Sequence, residues 1–538
     1  MPKNARKTEY LWTAAVALVI LAYLAVFTVI DFRGFGRLAT SDMYEDTLVA
    51  RLMWEEKSLF PKSYLFGNQF YVCATPVLAA LFYGLTGSMN RGMAWATLCM
   101  SALLLWAMEW MLRPVVKRPS LRAAALLCLL ASVFGPFSVM REDGQQLFFA
   151  MCSFYACYLL CFFVVLGDYA RAKRSEALRL PALLCALFLC FCTGMQSLRQ
   201  TCVLILPLLS FEGLHILRCL WKKQPVYPRR RRMRLWRCLA CAGANALGLL
   251  VIRLLPVRRH EIYTGASVFS GASLAAKLRD LHAALVTVTG YDATRKGDGR
   301  LFFILMFLGS TLLVLAAFYL LLRGKRQADG AGCFWLVAVL GCAAVIAASF
   351  VTSVRLRPIY LFLYYALPAL SLAVIAEKES RLRPMLLTLV CVLAALNLFF
   401  SYREDLNAAL SREPTPAQQA ADWAVQNGYA LVYGNQSHAA PAVAAASDGA
   451  LIAGCWQDDC IYRLSPYINI RNIYSLDDAE RAVFIFTENE LPLMQTEAAG
   501  NGTEMTPRAQ YGPFWVYTAS KQCLYPITEV IDHVAEYN

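Results

Sequence analysis

The sequence has no P-loop, no Rossmann glycine fingerprint and no His-Glu-x-x-His pair. Nucleotide hydrolysis, dinucleotide-dependent redox chemistry and zincin-type proteolysis therefore lack their usual machinery. Its one Cys-x-x-Cys, at Cys238 and Cys241, sits in an apolar run without a second pair, so a structural zinc is not expected. No internal repeat of fixed period occurs. Charge is scarce as well: 16% of the 538 residues are charged and 58% hydrophobic, with a mean hydropathy of +0.47. Such a composition excludes an ordinary soluble chain and implies many membrane spans.

The charge that is present is unevenly divided. Residues 402–538 hold seven Lys and Arg against seventeen Asp and Glu, a balance of −10. Since the whole chain carries +14, residues 1–401 carry +24. The basic residues lie between apolar runs, where they act as topology signals, and nucleic acid is not an expected partner. Of nineteen cysteines, sixteen precede residue 402, mostly inside apolar runs, where cysteine behaves as a small hydrophobe. In the acidic tail a Cys455–Cys460 disulfide is open to either outcome.

No small-x-small cleavage site follows the apolar run at 10–30, so it reads as an uncleaved anchor behind Lys3, Arg6 and Lys7. The apolar stretch 70–87 poses the main topological choice. If it spanned, the basic loops around Arg113–Arg122, Arg171–Arg179 and Lys222–Arg237 would all fall outside. The positive-inside rule decides against a span and makes 70–87 a helix lying along the outer face. The spans then fall at about 10–30, 92–112, 121–140, 145–166, 180–197, 200–218, 236–256, 301–322, 333–353, 357–376 and 384–401. That arrangement puts the N-terminus in the cytoplasm and the C-terminus outside. The fold class expected is an all-α polytopic body of about eleven transmembrane helices, residues 1–401, with outer loops 31–91 and 257–300. A small extracytoplasmic α/β domain, residues 402–538, follows, with helices at 417–427 and 439–446 and strands at 430–433, 450–453, 483–487 and 514–518.

Three carboxylates, Asp42, Glu45 and Asp46, occupy five positions just beyond the first span. On a helix they share one face, and partial exclusion of water there raises carboxyl pKa values toward those of a general base. The same residues also fit a solvated helix start with Ser41 as its N-cap. A second acidic pair, Glu142 and Asp143, forms the hairpin between the third and fourth spans. With Asp42 it is a candidate set for a divalent cation, Mg or Mn. Outer-face arginines run against the charge trend: Arg199 interrupts an apolar run, Arg357 precedes Pro358 and Tyr360, and Arg258 and Arg259 precede His260. Guanidinium groups fit phosphate, though pairing with the acids or with lipid headgroups would also account for them. Glu109 and Arg113, one turn apart, are expected to pair.

The run Ser41-Asp42-Met43-Tyr44-Glu45-Asp46, the stretch Ala50-Arg51-Leu52-Met53-Trp54-Glu55, Leu59-Phe60-Pro61, Phe70-Tyr71, Thr75-Pro76-Val77-Leu78, Gly87 and Arg91 together resemble the GT-C superfamily of integral-membrane glycosyltransferases. That group includes the protein O-mannosyltransferases and aminoarabinose transferases. The resemblance implies Asp42 as the catalytic carboxylate and juxtamembrane helices over 70–87. It also implies a lipid-phosphate contact at Arg357 and Tyr360, in a stretch that is similar to the family's Arg-Tyr-x-x-Pro. Met43 stands where many relatives carry a second acid, so Glu45 and Asp46 stay candidates for the base. The expected activity is transfer of a sugar from a polyprenyl-phosphate donor to a glycan, lipid or protein acceptor on the outer face of a bacterial cytoplasmic membrane. A transporter or flippase of lipid-linked saccharides, or a non-enzymatic envelope assembly protein, is the alternative.

Overall fold

The computed structural model describes residues 3–64, 66, 69–131, 148–172, 180–223, 229–257, 273–289, 300–323, 330–378, 382–435, 439–457, 460–464, 482–500 and 504–519. Among them, eight helices are long and apolar enough to cross a membrane: Lys7–Leu38, Met89–Leu112, Thr201–Trp221, Arg232–Leu254, Ile304–Arg323, Ala331–Val351, Pro358–Lys378 and Arg383–Leu410. Each coincides with an expected span. The other three expected spans meet shorter helices, Pro119–Leu130, Ala156–Arg171 and Leu180–Gln196. By length and composition, the described helices thus supply eight of the eleven expected crossings. Lipid-facing leucines such as Leu18, Leu301, Leu312 and Leu315 remain exposed, whereas Pro358–Lys378 is enclosed by its neighbours.

The stretch 70–87 forms the twelve-residue helix Thr75–Thr86. At ~1.5 Å per residue this gives about 18 Å, short of a ~30 Å hydrocarbon core. It ends at Gly87, whose φ of 67° suits the left-handed C-terminal cap, and the chain folds back into Met89–Leu112. At the other end of Met89–Leu112, Glu109 pairs with Arg122 at 2.8 Å, not with Arg113, because Arg122 also anchors itself on the carbonyls of Val116 and Lys117.

Helix Arg383–Leu410 runs through Tyr402, and the C-terminal unit begins with Pro416–Gln426. Its sheet comprises β1 (Leu431–Asn435), β2 (Ile452–Gln457), β3 (Cys460–Leu464), β4 (Ala482–Phe486), β5 (Met505–Tyr511) and β6 (Phe514–Ala519), in the order β3-β2-β1-β4-β6-β5. β1 pairs in parallel with β2 and β4, while β3, β6 and β5 are antiparallel additions. β1 and β4 are buried at every position, as expected for strands covered on both faces. Cys455 of β2 is a buried free thiol.

This unit docks on the membrane body through helix Ala440–Ala446 and the turn after it. Asn90 donates its side-chain amide to Ala445 O at 2.9 Å, and Arg51 donates to Gly449 O at 2.9 Å. Asp448 accepts the Asn90 N–H at 2.8 Å and the Ser88 hydroxyl at 2.6 Å, so it helps to cap Met89–Leu112 from 358 positions away. Asp448→Ala is expected to cost about 0.5–2 kcal/mol, as loss of a cap does, read by thermal unfolding in detergent.

Close helix packing inside the body depends on small residues. A Cβ at Gly248 would lie 2.1 Å from Phe191 O, and one at Gly194 would lie 2.3 Å from Asn245 O. Gly248→Ala is expected to force apart helices Leu180–Gln196 and Arg229–Leu254 and cost about 1–3 kcal/mol. Gly243→Ala, facing open space on the same helix, is the control that leaves the thermal midpoint in place.

Candidate active site

The acidic helix runs over Ser41–Glu55 and is capped by Thr40, one residue earlier than expected, in extended conformation. The Thr40 N–H meets the Met43 sulfur at 3.5 Å, and Ser41 is already helical. Asp42 sits in the first turn, Glu45 is partly buried and Asp46 is 1% exposed. The Tyr64 hydroxyl donates to the Glu45 carboxylate. The Tyr71 hydroxyl lies beside Asp46, yet neither Asp46 oxygen accepts a well-formed hydrogen bond. Burial pushes the Glu45 carboxyl up to about 7, with Tyr64 opposing and Asp42 reinforcing the shift. Burial, and then its acidic neighbours Glu45 and Asp42, hold Asp46 well above the usual carboxylate range against the pull of Tyr71. The C-terminal unit closes the far side: the Tyr44 hydroxyl accepts the Ala453 N–H at 2.9 Å, and Glu45 faces Cys455.

The opposite wall is built from Gln196 and Arg199. Gln196 is fully buried and stitches loop 69–74 to the end of helix Leu180–Gln196. Its Oε1 accepts the N–H groups of Val72 at 3.2 Å and Cys73 at 2.7 Å, and its carbonyl accepts that of Phe70 at 3.1 Å. Arg199 donates to Gln69 Oε1 at 2.6 Å. Its guanidinium lies 4.8 Å from the ring centre of Tyr155, 5.4 Å from that of Tyr360 and 5.7 Å from that of Tyr158. Such faces attract a cation by about 0.5–2 kcal/mol each. Arg357 and Tyr360 also act on Tyr155 electrostatically, so Arg199, Arg357 and Tyr360 gather around one ring.

Residues 148–158 join the two walls. The Cys152 thiol donates to Met43 O at 3.5 Å and feels the charges of Asp46, Asp31 and Asp42. Cys157 feels Arg199 from one side and reaches Asp46 on the other. Both walls adjoin a π-helical turn, Ile30–Gly34 and Thr201–Ile205, a distortion that recurs at functional sites. Arg355 pairs with Asp280 at 3.0 Å, and Lys277 donates to Thr352 O at 2.8 Å, so helix Leu274–Thr289 braces the segment that leads to Arg357.

Glu142, Asp143, Arg258, Arg259 and His260 lie outside the described residues. Within the described residues no group of three His, Cys, Asp or Glu is arranged to hold a metal. Sequence reasoning missed Asp31, buried at 3% and accepting the Met151 N–H at 2.7 Å. An acid at the end of the first apolar run was its signal. Tyr64, Tyr71, Tyr155, Tyr158 and Gln196 were also missed, since loop aromatics and a lone amide carry no spacing pattern.

An acid-bearing helix thus faces a caged arginine at one end of a helical membrane body. No family model and no curated protein matches the sequence. The similarity lies in solved structures. ArnT from Cupriavidus metallidurans bound to undecaprenyl phosphate superposes with a TM-score of 0.57 over 94% of this chain and 98% of that one, at 13% identity. The apo state of the same protein gives 0.54 over the same shares and at the same identity. The expected likeness to aminoarabinose transferases is present in the fold.

Glu45 has a sign-definite effect on stability. Its carboxyl titrates near 7 in the fold against an ordinary 4.5, so the folded chain holds more protons across that window. Stability therefore falls as pH rises from about 4.5 to about 7, on the order of 3 kcal/mol in total. Glu45→Gln, neutral throughout, is expected to flatten this slope in thermal unfolding followed across the window. An unchanged slope would assign the titration to another group.

Proposed function

We propose that this protein is an integral-membrane glycosyltransferase that moves a sugar from a polyprenyl-phosphate carrier to an acceptor on the outer face of the membrane. The observation that carries the reading is the meeting of opposite charges around residues 148–158: Asp42, Glu45 and Asp46 on one side, Arg199 and Arg357 on the other. The fold shared with ArnT, whose structure holds undecaprenyl phosphate, supports the donor class.

Asp42 is the base in this reading. Its first-turn position puts it at the positive end of the helix, which favours a carboxylate, whereas burial keeps protons on Asp46 and, near neutrality, in part on Glu45. Asp42 accepts the proton of the acceptor hydroxyl as that oxygen attacks the anomeric carbon. The bond from anomeric carbon to phosphate oxygen breaks, and the phosphate leaves with the electron pair. Arg199 and Arg357 stabilise the charge that develops on it, and Tyr360 holds Arg199 in place. Asp42 with Glu142 and Asp143 is the set that would hold a Mg or Mn ion.

The topology that goes with this function has eleven spans, a cytoplasmic N-terminus and residues 402–538 outside, where the α/β unit covers the acidic helix. Glycan, lipid and protein acceptors all present the nucleophilic group the site requires.

Transfer of a labelled sugar from a polyprenyl-phosphate donor by the reconstituted protein tests the reading. Asp42→Asn is expected to lower the rate ~10²–10⁴-fold, the usual worth of a general base. Arg199→Gln should lose at least ~10²-fold, as loss of a charge-stabilising donor does. Undiminished transfer by Asp42→Asn would sink the base assignment. Translocation of the lipid-linked sugar without transfer would make the protein a flippase.

A further inference from the structure

Most of the cysteines are packed singly among apolar side chains, but two stand at the join between the walls of the site. Cys73 lies in loop 69–74, the segment that carries Gln69 to Arg199 and Tyr71 to Asp46. Cys157 lies in the first turn of helix Ala156–Arg171. One side chain grips both: Gln196 Oε1 accepts the Cys73 N–H at 2.7 Å, and Gln196 Nε2 donates to Cys157 Sγ at 3.4 Å. Gln196 thus holds the two cysteines as neighbours, and neither is in a disulfide. Thr75, two residues on, donates its hydroxyl to Ser153 O at 3.2 Å, so the two segments are also tied beside the thiols.

Exposure separates their roles. Cys73 is partly exposed, whereas Cys157 is 1% exposed and within reach of the positive charge of Arg199. A second sulfur contact, Cys161 to Cys190 at 3.9 Å, has both members buried and joins two helices away from the loop. Site selectivity of thiol oxidation follows access and the neighbouring charge: access favours Cys73, and the charge of Arg199 favours Cys157.

We propose that Cys73 and Cys157 form a redox modification site, oxidised by hydroperoxides to a disulfide that locks loop 69–74 onto helix Ala156–Arg171. With hydrogen peroxide, the Cys73 sulfur attacks the O–O bond, becomes a sulfenic acid and releases one water. The Cys157 sulfur then attacks the sulfenic sulfur, forms the S–S bond and expels hydroxide, which leaves as a second water with the Cys157 proton. Two thiols and one peroxide give one disulfide and two waters. The link fixes Gln69 and Tyr71, and with them the spacing between the arginine wall and the acidic wall. Reduction by a dithiol returns the loop to its hydrogen-bonded state.

The test uses the full-length protein in membranes, treated with hydrogen peroxide, alkylated with N-ethylmaleimide, digested and read by mass spectrometry. The expected product is a Cys73–Cys157 linked peptide, abolished by dithiothreitol and formed ahead of any Cys161–Cys190 link. In Cys73→Ser, Cys157 should stay a free thiol, and the upward shift in thermal midpoint seen on oxidising the wild type should vanish. Recovery of Cys73 as a sulfinic acid beside an unlinked Cys157, or linkage of either cysteine to a different partner, would overturn the proposal. The wild-type cross-link decides the matter even if the serine variant folds poorly.

Discussion

A guanidinium at the edge of an apolar helical body has to be stabilised by something, and here tyrosine faces do much of it. Arg199 stands among Tyr155, Tyr158 and Tyr360 and donates to the neutral amide of Gln69. A carboxylate in those positions would cancel the charge, whereas ring faces and an amide hold it while leaving it able to attract an anion. Three chain segments must converge to build this cage: the start of helix Ala156–Arg171, the break at 197–200 and the start of Pro358–Lys378. Much of the packing of the outer end follows from that convergence. Gln196 pins the loop that delivers Gln69, and Lys277 braces the segment that precedes Arg357 and Tyr360.

The acidic wall solves the converse problem. Three carboxylates in five positions would repel one another if all were ionised. Burial removes much of that repulsion by keeping protons on Asp46 and, near neutrality, in part on Glu45. Tyr64 and Tyr71 provide polar contact without adding charge at neutral pH. An anionic phosphate could approach such a wall more easily than its formal composition suggests.

Some of this arrangement is legible in the residues and some is not, for physical reasons. Lys and Arg between apolar runs carry long-range topological information, so 70–87 reads as a non-spanning helix, and Thr75–Thr86 is indeed too short to cross. Strand β4 and the first three residues of β1 are continuous apolar runs and stand out, as does the end of the helix before Gly428. Strand β5 contains Pro507 and Arg508 and lies at an edge with three of its seven residues exposed, so it lacks a strand pattern. The acids and arginines are visible because charge is costly near a membrane. Their tyrosine and glutamine partners are not, since a Tyr in a loop or a Gln at a helix end has the same local sequence whether it holds an arginine or faces solvent. The one-residue shift of the cap from Ser41 to Thr40 is of the same kind, because either hydroxyl residue can start a helix.

Asp448 and its neighbours put a direction in time into the molecule. Ser88, Asn90, Arg51 and Tyr44 emerge from the ribosome between 355 and 409 residues before Asp448, Ala445, Gly449 and Ala453, the groups that complete them. Domains generally fold in the order of their synthesis. The acidic helix is therefore made early and stays without its last hydrogen bonds until the α/β unit has been synthesised and folded. A truncated product would carry Asp42, Glu45 and Asp46 on an unsupported helix, so that helix is completed only with a nearly finished chain.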